Sequence, residues 1–107
     1  MDSFSIRDLR ERTGELVRDA EAGRLSVVTK RGRPVFVAVP FDEALLEQGV
    51  NVALAAKLYA DGVVTLSRAA RVAGVSTEAF IEKLGLLGVP VVDYPPDELD
   101  EELARLA

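Results

Sequence analysis

Arg7 and Arg10 near the N-terminus, and Lys30, Arg31 and Arg33 further along, are cations in a chain whose net charge is -5. Guanidinium and ammonium groups gathered on one surface bind anions, and arginine can do so bidentately at a phosphate or a guanine edge. The Ser5 hydroxyl is a candidate hydrogen-bonding aid beside them. Catalysis has little to work with. The sequence holds neither His nor Cys, which removes the imidazole base, the thiolate nucleophile and the common zinc ligands. No phosphate-cradling GxxxxGK[ST] loop occurs, and the carboxylates crowd one C-terminal run instead of separated helix positions suited to acid/base or metal chemistry. The expectation is a non-catalytic protein without metal or cofactor.

The placement of charge says more than its sum. Residues 1–40 carry eight Lys/Arg against six Asp/Glu, and residues 41–107 carry five against twelve. A basic head precedes an acidic body, so one end suits an anionic partner and the other something else. A length of 107 residues allows one ordinary domain or two very small ones with modest cores, so dimerisation or partner binding is expected. Absence of Cys excludes a secreted disulfide scaffold. No run approaches the roughly 20 apolar residues of a membrane span, and residues 1–6 lack the regions of a signal peptide. A cytoplasmic, membrane-free protein is expected.

The elements that must position the cations follow from local chemistry. Residues 3–6 alternate like an edge strand, and Ser5-Ile-Arg-Asp8 fits a capping box that opens a helix. Leu9, Leu16, Val17 and Ala20 make its apolar stripe, Thr13-Gly14 splits it into two short helices, and Gly23 ends it. Residues 25–30 and 35–39 are rich in β-branched side chains, and Arg31-Gly32-Arg33-Pro34 between them reads as the turn of a basic-tipped hairpin. Asp42 caps a helix through Glu47, and Gly49 stops it. Helices then follow over residues 51–61, over 66–73 (capped by Thr65) and, capped by Ser76, through Leu86 or Leu87, with stops at Gly62, Gly74 and Gly88. A short strand over 89–94, a break at Pro95-Pro96 and an acidic helix over 97–106 complete the reading. The fold class is α+β: a small sheet with short helices over residues 1–48, then a mainly helical unit over 50–107.

Phe4-Ser-Ile-Arg-Asp-Leu-Arg10, Thr13-Gly-Glu-Leu-Val17, Gly23 and Val27-Val-Thr-Lys-Arg-Gly-Arg-Pro-Val35 resemble the N-terminal domain of Phd/YefM antitoxins. That resemblance covers residues 1 to about 48. It implies a dimer that binds operator DNA and represses its own operon, with Arg10 and Lys30 at the family's DNA-contacting positions and Arg7, Arg31 and Arg33 beside them. Many members of that family continue into a poorly folded tail, whereas residues 50–107 here read as folded. Leu58-Tyr-Ala-Asp-Gly, Leu66-Ser-Arg-Ala-Ala, Ala73-Gly-Val-Ser, Phe80 and Gly88-Val-Pro-Val91 resemble a small helical family of antitoxins that often stand beside PIN-domain ribonucleases. The resemblance implies such a toxin as the partner of the second half.

Three alternatives stay open at this level. The hairpin tip can be merely solvated, leaving an interaction adaptor that binds no DNA. Ala69-Ala70, Gly74-Val75 and Phe80 have the spacing of a helix-turn-helix, whose reader would use Ser76, Thr77 and Lys83. Glu78 and Glu82 repel phosphate there, which favours a packing or dimerisation unit over a stand-alone regulator. The final helix aligns Leu99, Leu103 and Leu106, with Arg105 to one side. That stripe serves either as a lid on its own domain or as a helix held in a toxin's groove.

Overall fold

The computed structural model describes residues 1–91; the expected strand beyond residue 91, the Pro95-Pro96 break and the final helix lie outside them. The chain divides into two compact units, Met1–Glu47 and a second from Gln48 onward. Together the described residues form three strands and six short helices, an α+β fold.

In the first unit, β1 (Asp2–Ser5) pairs in parallel with β2 (Ser26–Lys30), which pairs antiparallel with β3 (Arg33–Ala38), in the order β1-β2-β3. Phe4 lies opposite Val28, and both are fully buried with Leu25. The link from β1 back to β2 contains α1 (Asp8–Glu11) and α2 (Thr13–Glu21). The capping box forms as the sequence implies: the Ser5 amide donates to Asp8 Oδ2 and the Asp8 amide donates to Ser5 Oγ, each at 3.0 Å. The break between the helices falls at Arg12 (φ -118°, ψ 26°). The Thr13 hydroxyl donates back to the Leu9 carbonyl across it.

The apolar stripe expected on these helices is only partly covered. Leu9 and Leu16 are half-buried, while Val17 and Ala20 are exposed. Segments of four and nine residues with a break between them cannot lay one continuous stripe on the sheet. The hairpin also differs from expectation. Its turn is two residues, Arg31 (φ 52°) and Gly32 (φ 77°), because Lys30 already pairs with Arg33. Two successive positive φ values mark the turn type whose twist matches a hairpin, and Gly32 meets that demand without steric cost. Pro34 therefore lies inside β3. An edge strand tolerates it, and a register shift at Val28/Thr29 accommodates the break in the ladder. The helix α3 (Glu43–Gln48) follows, with Asp42 Oδ1 accepting from the Leu45 amide at 3.1 Å.

The second unit is helical: α4 (Val50–Ala60), α5 (Leu66–Ala73) and α6 (Thr77–Leu86). Val52, Ala55, Ala56, Leu66, Ala69, Ala70, Ala73, Phe80 and Leu84 form its core. Small residues on α4 and α5 let the helices approach closely, and Phe80 and Leu84 fill the space beneath. Caps stand where the sequence puts them, with Thr65 Oγ1 accepting from the Arg68 amide at 3.2 Å and Ser76 Oγ from the Ala79 amide at 3.1 Å. Gly74 (φ 76°, ψ 26°) ends α5, with Gly74 N–H bonded to Arg71 O and Val75 N–H to Ala70 O. This is the paired bonding of a Schellman stop, and it turns the chain sharply into α6. Residues 89–91, expected to begin a strand, are irregular. The Val89 amide donates to Leu84 O at 2.9 Å, so it is spent closing α6.

Candidate nucleic-acid interface

The parallel pairing of β1 and β2 decides where the cations go. Ser5 is level with Thr29, and the Ile6 amide donates to Thr29 O at 2.9 Å. Both strands thus finish at the same end of the sheet. There β1 runs directly into Arg7 and α1 with Arg10, while β2 runs into Lys30 and the Arg31-Gly32 turn, with Arg33 opening β3. All five cations are exposed. None takes part in an ion pair among the described residues.

Arg12 behaves differently although it lies two positions beyond Arg10. Its guanidinium donates to Glu15 at 2.7 Å and Asp8 at 3.4 Å, and it stacks over the Phe4 ring at 4.6 Å from the centroid. Glu15 above all, with Asp8, holds its proton more firmly than usual. Arg12 is therefore an internal brace that ties the helix break to the core. Asp8, one of the two carboxylates on α1 with Glu11, is similarly committed. The Ser5 amide chiefly, helped by the Ser5 hydroxyl and Arg12, holds its carboxyl below the usual 3.8. Its charge is satisfied locally and leaves the five cations unpaired.

Ser5 itself is half-buried, and its hydroxyl oxygen accepts the Asp8 amide. Its established task is to cap α1, which sets the direction in which Arg7 and Arg10 leave the sheet. Elsewhere in the unit, the neighbouring Asp2 carboxyl, with desolvation, raises the pKa of Asp19 against the opposing pull of Arg24. This carboxyl pair adjoins the start of β1, opposite the cationic end.

Exposed, unpaired cations at one end of a rigid sheet can neutralise phosphates and release their counterions, with arginines able to reach base edges. In the second unit the helix-turn-helix is less suited. Ser76 is used as a cap and Thr77 is buried with Oγ1 unpartnered. Lys83 is half-buried, while Glu78 and Glu82 are exposed. Among the described residues the exposed cations here are Arg68 and Arg71 on α5, which the sequence reading passed over. Their signal was the three-residue spacing on the face opposite Ala69, Ala70 and Ala73. Leu99, Leu103, Arg105 and Leu106, the candidate toxin contacts, lie outside the described residues. Among the described residues no group of three or more His, Cys, Asp or Glu could hold a metal, and no helix is long and apolar enough to cross a membrane.

The fold and this surface define a small α+β protein with a cationic sheet end and a helix-turn-helix unit. Residues 34–107 match UPF0175, described as an uncharacterised protein family, and the chain belongs to it. The match begins at Pro34, so it takes in β3 except Arg33, then α3 and the second unit. A UPF0175 protein of Aeropyrum pernix is 38% identical over 58 residues, covering 54% of this chain and 64% of the relative. Antitoxin VapB46 of Mycobacterium tuberculosis is 44% identical over 43 residues, covering 40% of this chain and 42% of the relative. The chain thus spans less than two thirds of the length of these curated relatives.

Proposed function

We propose that this chain is the antitoxin of a toxin-antitoxin system, a cytoplasmic, non-enzymatic protein that binds operator DNA and neutralises a protein toxin. The DNA-binding part is carried by one observation: Arg7, Arg10, Lys30, Arg31 and Arg33 emerge at the same end of the sheet, exposed and without ion pairs among the described residues. The antitoxin part is supported by similarity to Antitoxin VapB46. The resemblance of residues 1–48 to the Phd/YefM domain supports a dimer acting as autorepressor. The resemblance of the second half to antitoxins found beside PIN-domain ribonucleases supports a toxin of that kind, held by residues 50–107 with Leu99, Leu103, Arg105 and Leu106 among the contacts.

Binding through phosphates is steeply salt-dependent, because each neutralised phosphate releases a condensed counterion. Arg10→Ala with Lys30→Ala should abolish retention of the chain's own promoter fragment in a gel-shift assay while leaving thermal stability unchanged. Full affinity in that double variant refutes the assignment. Arg68 and Arg71 favour a second reading in which α5 also touches DNA backbone. Arg68→Ala with Arg71→Ala separates the two, since only the second reading expects it to weaken binding. Co-purification of the neighbouring gene product with the full chain tests the toxin.

A further inference from the structure

Leu9, Arg12, Leu16 and Asp19 recur at three- and four-residue intervals along the α1–α2 segment and are all half-buried, so they form the stripe turned toward the sheet. Two of the four are polar. Arg12 is spent on Phe4, Asp8 and Glu15, whereas Asp19 keeps a buried Oδ2 with no hydrogen-bond partner among the described residues. From Arg12 over the Phe4 ring, α2 runs about 10 Å to Asp19. That carries Asp19 back to the start of β1, beside the Asp2 carboxyl.

The sheet supplies a third group. Asp2 and Ser26 are register partners two residues before the register partners Phe4 and Val28, so all four lie on one face, the face that buries Phe4 and Val28. Ser26 is 1% exposed, and its hydroxyl has no partner among the described residues either. Buried polar oxygens ordinarily find one. Two carboxyls and a hydroxyl thus meet at one corner of the sheet, with Glu15 adding further negative charge toward Asp19. Arg24 offsets it, but this side chain is exposed and makes no ion pair among the described residues.

Water would satisfy the Ser26 hydroxyl yet leave two carboxylates facing each other. A cation answers both needs. We propose that Asp2, Asp19 and Ser26 form a site for a small, hard divalent cation, Mg2+, with Mn2+ as its mimic. Donors that are all oxygen select this class over zinc or copper. Two carboxylates fall short of a dedicated all-protein cage. Mg2+ is held in this way, by one or two carboxylates with water completing its octahedron, and the exposed Asp2 gives that water access. Ca2+ asks for about six to eight oxygens, more than this corner offers. The ion ties the start of β1 to the end of α2 and start of β2, so it stabilises the first unit by linkage. All three residues precede Pro34, outside the part matched by UPF0175, and stand away from the five cations, so the site does not rest on the DNA reading.

The test uses the full chain at constant ionic strength, which keeps general screening of its acidic surface fixed. In a calorimetric titration with Mg2+ the chain should bind one ion, and it should melt higher in Mg2+ than in EDTA. Traces of Mn2+ should broaden the amide resonances of residues 2, 19 and 26 before those of residues 30–33. Asp19→Asn should melt higher than the natural chain in EDTA, where a like-charge neighbour has been removed, and should lose the gain from Mg2+. Ser26→Ala should melt no lower than the natural chain in EDTA, because its hydroxyl has no bond to lose. It should nonetheless bind Mg2+ at least about tenfold more weakly, a loss that even an outer-shell change causes at a metal. Equal melting of the natural chain in Mg2+ and EDTA overturns the site. So does a Mg2+ gain that survives both substitutions, or Mn2+ broadening centred on other residues.

Discussion

The two units bury apolar surface in opposite ways. Beyond Gln48, nine buried residues form one cluster on three helices. Before it, a three-stranded sheet rests on Phe4, Leu25 and Val28, and no residue of α1 or α2 is buried. The first unit also leaves Ile6, Val17, Val35, Phe36, Val37, Phe41 and Leu46 exposed. The difference lies in continuity. Small residues on α4 and α5 align into one face, whereas the first unit's helices are short, broken at Arg12 and flanked by an uncovered edge strand. A core of that size stabilises a small domain only marginally, so of the two units the first is the one whose stability a partner would raise most.

The comparison can be broken most forcefully at Phe80. Phe80→Ala should cost about 3–5 kcal/mol and abolish the cooperative thermal transition of the second unit, whatever the protein concentration. For the first unit the expected signature is a melting temperature that rises with concentration, followed by circular dichroism. Concentration-independent melting of both units would erase the distinction. A smaller effect is expected at the caps. Ser5→Ala and Thr65→Ala should each cost about 1 kcal/mol in denaturant titrations. Ser5→Ala should in addition weaken DNA binding, because only that cap directs Arg7 and Arg10.

The smallest effect is a pH dependence within the first unit. Asp8 is held below 3.8 when folded, so its contribution is complete above 3.8 and lost as pH falls through the lowered value. Asp19 is raised, so the stability it lends is complete below 3.8 and lost as pH rises through the raised value. Asp8→Asn should therefore lower the melting temperature at pH 7 more than at pH 3, and Asp19→Asn should raise it at pH 7. Absence of either difference would show that these carboxyls titrate alike in folded and unfolded chains, and a reversed sign would show shifts opposite to those given.

Features that depend on neighbours in sequence were legible before the structure. Thr65, Ser76, Gly74, the Ser5–Asp8 capping box and the break near Thr13 all express bonds spanning a few residues, and each appears as expected. What depends on distant partners was not. The parallel pairing of β1 with β2 has no local mark, yet it alone brings Arg7 and Arg10 to the hairpin end. Arg10 and Arg12 are the same residue type two positions apart, and the Phe4 ring beneath Arg12, together with Glu15 and Asp8, separates an exposed cation from a brace. The two-residue turn was hidden because Pro34 reads as a turn former until its strand proves to be an edge. Arg68 and Arg71 were overlooked because attention fell on the polar start of α6, whose Ser76 and Thr77 serve the helix itself.

Arg31 is the described residue other than glycine with a positive φ, at 52°. A side chain there costs about 1 kcal/mol relative to glycine. Arg31→Gly should thus melt higher than the natural chain while holding promoter DNA less tightly. Selection for thermal robustness alone would then erode the cationic tip first, so the hairpin turn is where a stability-driven redesign of this protein would trade away the proposed DNA contact.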